Sequence, residues 1–394
     1  MATSATTRPA APRRRFSGPS ARMWMALQGL LIPMLSVFTA IMVGSILILL
    51  NGRDPITAFE GLFEGAFLEP RGLLATFRNM TPLVLSGLAV AFAYKCGLFN
   101  IGVQGQLIIG SITAAWVGYA VDGLPPVLHV TLSLLAAVAA GGLWGAIPGA
   151  LKAYADAHEV ITTIMLNFIA SRFAEWLIST GSTDGKIKPG PLSDPSQTGA
   201  IARTRDILDS AKLPTVYTVP PNFSLHAGIF IALIVAVAIA FLLYRSTFGF
   251  QLRMVGLSPN AARYSGVNVK RVTIMTMLIA GALAGLAGGV QTLGVNYHYE
   301  GNQSLSLGFD AITVSFLANN APLGMPISAF LFGAMDSGTT RMARDAAVQP
   351  ELIQVIQAMI LMFVAADQII RRLYRVRAPG FDGAQKRLES SWRK

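Results

Sequence analysis

The chain has 394 residues, of which 53% are hydrophobic and only 13% are charged. An ordinary soluble domain carries about 25% charged residues, and a disordered chain is more polar still, so both classes are excluded. The net charge of +11 rests on too few charged residues to build a nucleic-acid-binding face. The single cysteine excludes an internal disulfide, and the four histidines share no metal-ligand spacing.

Apolar stretches of about 20 residues predict membrane-spanning helices. We therefore expect an all-α, polytopic membrane protein with about ten spans. The predicted spans are 25–50, 82–94 with its flanks, 98–119, 127–151, 160–180, 225–244, 272–293, 305–318, 325–339 and 352–370. The eighth and ninth are short and interrupted, which leaves a count of roughly eight to ten.

Basic residues orient the predicted spans. With the N-terminus inside, most of the 31 lysines and arginines fall in cytoplasmic segments, as the positive-inside rule requires. Acidic residues show the opposite bias, because Asp54, Glu60, Glu64 and Glu69 crowd the first external loop. Both termini are therefore predicted to be cytoplasmic.

The same topology divides the chain into segments. We predict a basic cytoplasmic tail at 1–22, a transmembrane domain at 23–377 and a second cytoplasmic tail at 378–394. Two long loops interrupt the domain: an external loop at 181–224 and a basic cytoplasmic loop at 245–271. Long loops are usually functional or disordered. The external loop is thus either a flexible excursion or a docking surface for an external partner.

Signals for an energy source within this chain are weak. The nearest approach to a nucleotide-binding P-loop, at 181–187, is one residue short and ends in isoleucine. We therefore expect no ATPase site, no catalytic residues and no bound cofactor or metal. An ion-coupled carrier usually places acids within its spans. Asp310 and Asp336 flank the eighth and ninth spans and are candidates for lining a cavity, so an ion-coupled secondary carrier is the alternative.

Amides and glycines interrupt the apolar sequence at 94–106. Transporters often build their binding sites from such broken helices near the membrane midplane. Uncharged polar side chains suit a neutral, polyhydroxylated solute. The candidates for the substrate pathway are Asn100, Gln104, Gln106, Asn167 and Ser306. A tight turn with close helix packing is the alternative interpretation of this segment.

The cytoplasmic loop contains a second informative segment. Ser258 is placed to cap a helix whose first residue is Pro259, and Gly266 is placed to end it. The sequence predicts a short amphipathic helix over 260–264. Such a helix suits insertion into a cleft of another protein, and the alternative is a helix resting on lipid.

Two further patterns concern packing and symmetry. Glycines recur every four residues in the fourth and seventh spans, at Gly141, Gly145 and Gly149 and at Gly281, Gly285 and Gly289. This spacing predicts close helix–helix packing. The runs 81–111 and 306–335 share the order of apolar span, polar break and apolar span, which is compatible with an inverted repeat.

The segments 97–106 and 256–266 resemble permease subunits of bacterial ABC importers of the branched-chain amino acid and ribose class. Within that class the chain is most similar to simple sugar and nucleoside permeases, from about residue 25 to residue 377. Two mild departures are Ser258, where the family more often has Asn, and Gln104, where it more often has Glu. The resemblance implies about ten helices in the bacterial inner membrane and a pore formed by two permease subunits, identical or different.

The resemblance also implies partners and site residues. Cytoplasmic ATPase subunits would bind ATP-Mg, and an extracytoplasmic binding protein or lipoprotein would deliver the solute to the external loop. The segment Gly256–Gly266 would be the coupling helix, through Gly256, Pro259, Asn260, Ala261, Ala262, Arg263, Tyr264 and Gly266. Nucleosides are the expected solutes, with simple sugars next and branched-chain amino acids as an alternative.

Overall fold

The computed structural model describes residue 35 and residues 37–181, 188–196, 202–220, 223–301, 306–365 and 373–374. These residues are mostly helical. The predicted tails at 1–22 and 378–394, the first residues of the first predicted span and most of the P-loop-like run lie outside the described residues.

The helices follow the predicted spans and include three others, of which one was predicted. The α-helices are α1 (Val37–Leu50), α2 (Pro55–Phe63), α3 (Pro70–Lys95), α4 (Val103–Ala120), α5 (Pro126–Ala155), α6 (Glu159–Ile178), α7 (Gly228–Arg245), α8 (Thr247–Leu257), α9 (Pro259–Tyr264), α10 (Val269–Gln291), α11 (Leu307–Leu317), α12 (Met325–Asp345) and α13 (Pro350–Ala365). π-helical turns extend α2 through Glu64–Leu68 and α10 through Thr292–Asn296. The sequence predicted α9 but not α2, α8 or these turns.

Five helices in the described part of the chain are long and apolar enough to cross a membrane: α3, α5, α6, α7 and α10 with its π-helical extension. α1 and α11 are apolar but shorter. Protein surrounds α3 and α10 on most sides, whereas about two thirds of α5, α6 and α7 remains unburied. The exposed faces of these three helices are apolar, as lipid contact requires.

Contacts divide the chain into two compact units. Ser45–Gln357 forms one unit, whose core is built on Leu85, Leu88 and Phe92 of the central helix α3. The other unit combines Met1–Gly44 with Ala358–Lys394. Among its described residues, the Thr39 hydroxyl lies 2.9 Å from the Tyr374 hydroxyl, which joins the two ends of the chain.

Glycines bring α4, α5 and α10 into backbone contact. A Cβ atom added to Gly141 would lie 2.5 Å from the Gly281 carbonyl oxygen and 2.6 Å from the Gly285 Cα atom. A Cβ atom added to Gly110 on α4 would lie 2.5 Å from the same Gly285 Cα. The packing predicted for the four-residue glycine spacing is therefore confirmed, and α4 joins the contact.

The expectation of an all-α fold is wrong in the predicted external loop, where β1 (Thr215–Val219) and β2 (Phe223–His226) form an antiparallel hairpin. β-branched and aromatic residues fill β1, and this composition favours a strand. The neighbouring backbone is also anchored, because Thr204 N donates to Tyr299 O at 2.9 Å and Leu208 N donates to Gly118 O at 2.9 Å. Hydrogen bonds therefore anchor the backbone of 202–220 to the helix bundle.

Ion pairs hold the π-helical turn after α2. Arg341 on α12 pairs with Glu64, with Glu69 at 2.5 Å and with Asp345 at 3.0 Å. Two of the acids that crowd the first predicted external loop thus share one arginine.

His226 gives the structure a measurable dependence on pH. It is 1% exposed, its Nδ1 accepts a hydrogen bond from Gly228 N at 3.2 Å, and its Nε2 has no partner among the described residues. Burial, helped by the charge of Arg78, lowers the pKa of His226 from 6.5 to about 4. Protonation therefore favours the unfolded state. The stability that neutral His226 provides is complete above about pH 6.5 and is lost as the pH falls toward 4, about 3 kcal/mol in all.

We expect the melting temperature to fall between pH 6.5 and pH 4, and His226→Gln to flatten this slope because glutamine does not titrate. The matched control is His158→Gln, which changes an exposed histidine and should leave the slope unchanged. Thermal melts of the purified protein across this range provide the measurement. An unaltered slope in His226→Gln would assign the acid sensitivity to other groups.

Candidate functional site

The segment α8–α9 forms the first part of the candidate site. Ser258 Oγ accepts a hydrogen bond from Ala261 N at 3.4 Å, and Pro259 is the first residue of α9. Gly266 follows the helix with φ of +82°, a conformation that glycine adopts without strain. The predicted short helix with its serine cap and glycine stop is confirmed.

The two sides of α9 differ in exposure. Ala262 is fully buried in the core of its own unit, so it seats the helix on the bundle. Leu257 is 88% exposed and Tyr264 is 94% exposed, and Arg263 is exposed beside them. Leu257 and Tyr264 are thus large, exposed apolar side chains grouped around the junction of α8 and α9. Such a group is typical of a docking surface.

The two segments that carried the family resemblance touch each other. Gly256, at the end of α8, packs against the turn that follows α3, where an added Cβ would lie 3.0 Å from the Cys96 carbonyl carbon. Gly97 in that turn has φ of +78°. A cleft of about 590 Å³ lies beside this contact, and Lys152, Glu159 and Arg263 are among its lining residues. α8, which leads directly into α9, thus contacts the turn between α3 and α4.

Two of the predicted pathway amides stabilise that turn. Asn100 Nδ2 donates to Gln106 Oε1 at 3.0 Å, and Gln106 Nε2 donates back to Asn100 Oδ1 at 3.3 Å. Asn100 Oδ1 also accepts from Gly102 N at 3.0 Å. Both side chains are 1% exposed. In this structure the pair thus provides a hydrogen-bond partner for the irregular backbone of the turn, which lies within the helix bundle.

Two more pathway candidates connect the turn to neighbouring helices. On α6, Asn167 Oδ1 accepts from Gly105 N at 2.8 Å, and Asn167 Nδ2 donates to Ile101 O at 2.9 Å. Gln104 Oε1 accepts from Gly308 N at 2.7 Å and so joins α4 to the first turn of α11. These four amides therefore hold the break between α3 and α4 in place, as the packing interpretation of the segment expected.

Ser306, the fifth pathway candidate, is exposed at the start of α11 and belongs to a different group of side chains. Asp310 on α11 hydrogen-bonds to Ser306 and interacts electrostatically with Asp336 on α12. Asn79 Nδ2 on α3 donates to Asp336 Oδ2 at 2.6 Å. We call Arg78, Asn79, Ser306, Asp310 and Asp336 the polar cluster.

Arg78 is the member of the polar cluster with unusual surroundings. Its guanidinium carbon lies 4.1 Å from the centre of the Phe223 ring, and its buried Nε has no hydrogen-bond partner among the described residues. It interacts electrostatically with Asp336, but no described ion pair joins them. The sequence prediction missed Arg78 and Asn79 because it began the second span at residue 82. A charged residue inside an apolar helix was the available signal.

A polytopic helical bundle with an internal helix break and an exposed capped helix defines a membrane permease. The family described as the permease component of branched-chain amino acid transport systems matches residues 72–365. The chain belongs to this family. It is thus a transport subunit and not an ATPase, as the sequence predicted.

Several characterised permeases are similar to this chain over nearly its whole length. The guanosine ABC transporter permease protein NupP of Bacillus subtilis is 39% identical over 346 residues, which are 88% of this chain and 95% of NupP. The nucleoside ABC transporter permease protein NupB of Lactococcus lactis is 34% identical, over 86% of this chain and 92% of NupB. The glucose ABC transporter permease protein TsgB13 of Haloferax volcanii is 30% identical, over 87% of this chain and 89% of TsgB13. The predicted resemblance to sugar and nucleoside permeases is confirmed.

Proposed function

We propose that the chain is the permease subunit of an ATP-driven importer that moves nucleosides, with simple sugars as the second solute class. The observation that carries this proposal is the exposed helix α9. It is seated by buried Ala262 and follows directly on α8, whose Gly256 packs on the helix break. A partner that pushes on α9 moves the turn beside the predicted pathway. The similarity to NupP and NupB supports nucleosides as the solute.

The energy would come from a partner. A cytoplasmic ATPase binds ATP-Mg and receives Leu257, the last residue of α8, and Tyr264 of α9 in a surface groove. Closure of the ATPase dimer displaces α9, and the permease alternates between inward-open and outward-open conformations. The coupling role extends to the other residues of the predicted set, which are Gly256, Pro259, Asn260, Ala261, Ala262, Arg263 and Gly266.

The rest of the assembly is proposed from the positive-inside rule, the loops and the family resemblance. We place the chain in the bacterial inner membrane with both termini cytoplasmic, about ten spans and a possible inverted repeat. Two permease subunits, identical or different, would enclose the pore. The anchored backbone at 202–220 and the β1–β2 hairpin would face an extracytoplasmic binding protein or lipoprotein.

Exposure and hydrogen bonds divide the five pathway candidates into two groups. Ser306 would line the pathway directly, because its side chain is exposed in the polar cluster. Asn100, Gln104, Gln106 and Asn167 would border it by holding the helix break in shape, since each is buried and hydrogen-bonded to protein.

Reconstitution in liposomes tests the proposed function. We expect guanosine uptake when the chain is combined with its ATPase, its second permease and its binding protein, and only when ATP is present. An ATPase variant that cannot hydrolyse ATP is the control and should give no uptake. The chain purified alone should neither hydrolyse ATP nor accumulate solute. Uptake by the chain alone under a proton or sodium gradient would instead establish the ion-coupled carrier.

A further inference from the structure

We propose that the polar cluster binds a pair of neighbouring hydroxyl groups on the transported solute, such as the ribose 2′ and 3′ hydroxyls of a nucleoside. This inference rests on the proposed function and specifies which part of the solute the permease recognises. Nucleosides and simple sugars share neighbouring hydroxyls, whereas only nucleosides carry a base. One cluster therefore serves both solute classes.

The carboxylates of the cluster supply the acceptors. Asp336 Oδ2 already accepts from Asn79, but Oδ1 accepts no hydrogen bond from the residues that the structure describes. Ionised carboxylates form stronger hydrogen bonds with hydroxyl donors than neutral acceptors do. Aspartate and glutamate recognise ribose hydroxyls in this way in dinucleotide-binding proteins. Asp310 adds a second carboxylate next to the Ser306 hydroxyl.

Arg78 supplies a donor that lacks a partner. Its Nε is buried and forms no hydrogen bond in the described part of the chain. A buried donor without a partner costs roughly 1–3 kcal/mol, so a solute oxygen that reached the guanidinium would be bound favourably. The Phe223 ring lies 4.1 Å from the guanidinium carbon and stabilises the cation by a cation–π interaction.

Access and charge select the class of solute. Asp336 and Ser306 are both exposed although they lie among α3, α11 and α12, so the cluster opens to a space that a solute can enter. The polar cluster contains two carboxylates and one guanidinium, so its net charge is negative and repels anions. This favours a neutral solute with hydroxyl donors over a phosphorylated one.

The test compares two solutes in the complete importer reconstituted in liposomes. Guanosine has the ribose hydroxyl pair, and 2′,3′-dideoxyguanosine lacks it. In Asp336→Asn and Asp310→Asn we expect guanosine uptake to fall about tenfold while dideoxyguanosine uptake changes less than about twofold, because only guanosine uses the carboxylates. The matched control is Asp122→Asn, an exposed aspartate in the loop after α4 and outside the cluster, which should alter neither rate.

Three outcomes decide the proposal. Selective loss of guanosine uptake supports it. Equal loss for both solutes, in variants that still purify with the ATPase, would assign the carboxylates to helix packing and overturn it, as would unchanged guanosine uptake. Should an aspartate variant fail to assemble, Ser306→Ala provides the same comparison of rates with a smaller change. Failure of the unmodified importer to transport guanosine or glucose would instead contradict the proposed function.

Discussion

Tyr264→Ala is expected to abolish most ATP-driven uptake while leaving the chain folded. Tyr264 is 94% exposed at the end of α9, so its removal takes no packing from the bundle. Exposed aromatic anchors commonly contribute about 2 kcal/mol or more to a protein–protein interface, which is roughly a 30-fold loss of affinity. Leu257→Ala, at 88% exposed, is expected to act in the same direction.

Phe250→Ala is the matched control for these two variants. Phe250 lies on α8 in the same loop and is 57% exposed, but it lies seven residues before Leu257 and away from the α8–α9 junction. Co-purification with the ATPase and ATP-driven uptake are measured together. Normal uptake by Tyr264→Ala with full ATPase binding would show that α9 is not the coupling element.

The structure also changes which residue is the better probe of coupling. The sequence placed Ala262 and Gly266, like Tyr264, in the predicted coupling segment. Ala262 is fully buried under its own chain, so a large side chain there would displace α9 from the bundle as well as from a partner. Tyr264 separates partner binding from folding because it contacts little of its own unit.

Gly141→Ala is expected to destabilise the fold strongly. The new Cβ would lie 2.5 Å from the Gly281 carbonyl oxygen and 2.6 Å from the Gly285 Cα, and these are backbone atoms that cannot rotate away. Separating α5 from α10 would also disturb α4, which packs on Gly285. Overpacking of this kind costs about 1–3 kcal/mol, and the loss of helix contact adds to it.

The neighbouring glycine provides the control for this substitution. A Cβ atom added to Gly142 would lie 3.3 Å from its nearest neighbour, the Leu278 carbonyl oxygen. Alanine is the better helix former by about 1 kcal/mol, so Gly142→Ala should be neutral or slightly stabilising. Thermal melts in detergent compare the two variants. Equal melting temperatures would show that the glycine contacts between α5 and α10 are not tight in solution.

Local signals predicted α9 well. The helix is capped and ended by Ser258, Pro259 and Gly266. These roles depend only on local hydrogen bonds and backbone dihedral angles, so the spacing of the residues in the sequence predicts them. The same holds for Arg172 and Glu175, which lie three residues apart on α6 and pair at 2.7 Å. The β1 strand also had a composition signal that an all-helical expectation overlooked.

Residues distant in the sequence required the tertiary structure. Asn79 and Asp336 are far apart in the chain, and no periodicity indicates that they meet at 2.6 Å. The polar cluster became visible only when α3, α11 and α12 were packed together. The same packing showed that Gln104 binds the backbone of Gly308, whereas the sequence offered only an amide in an apolar stretch.

By itself, the sequence determined the class of protein, the approximate helices, the capped helix α9 and the family. These properties follow from hydrophobicity and local backbone chemistry, which act over a few neighbouring residues. Only the tertiary structure decided which polar residues support the fold and which remain accessible. Burial and hydrogen-bond partners depend on helix packing, so Asn100 and Ser306 look alike in the sequence but differ in the folded protein.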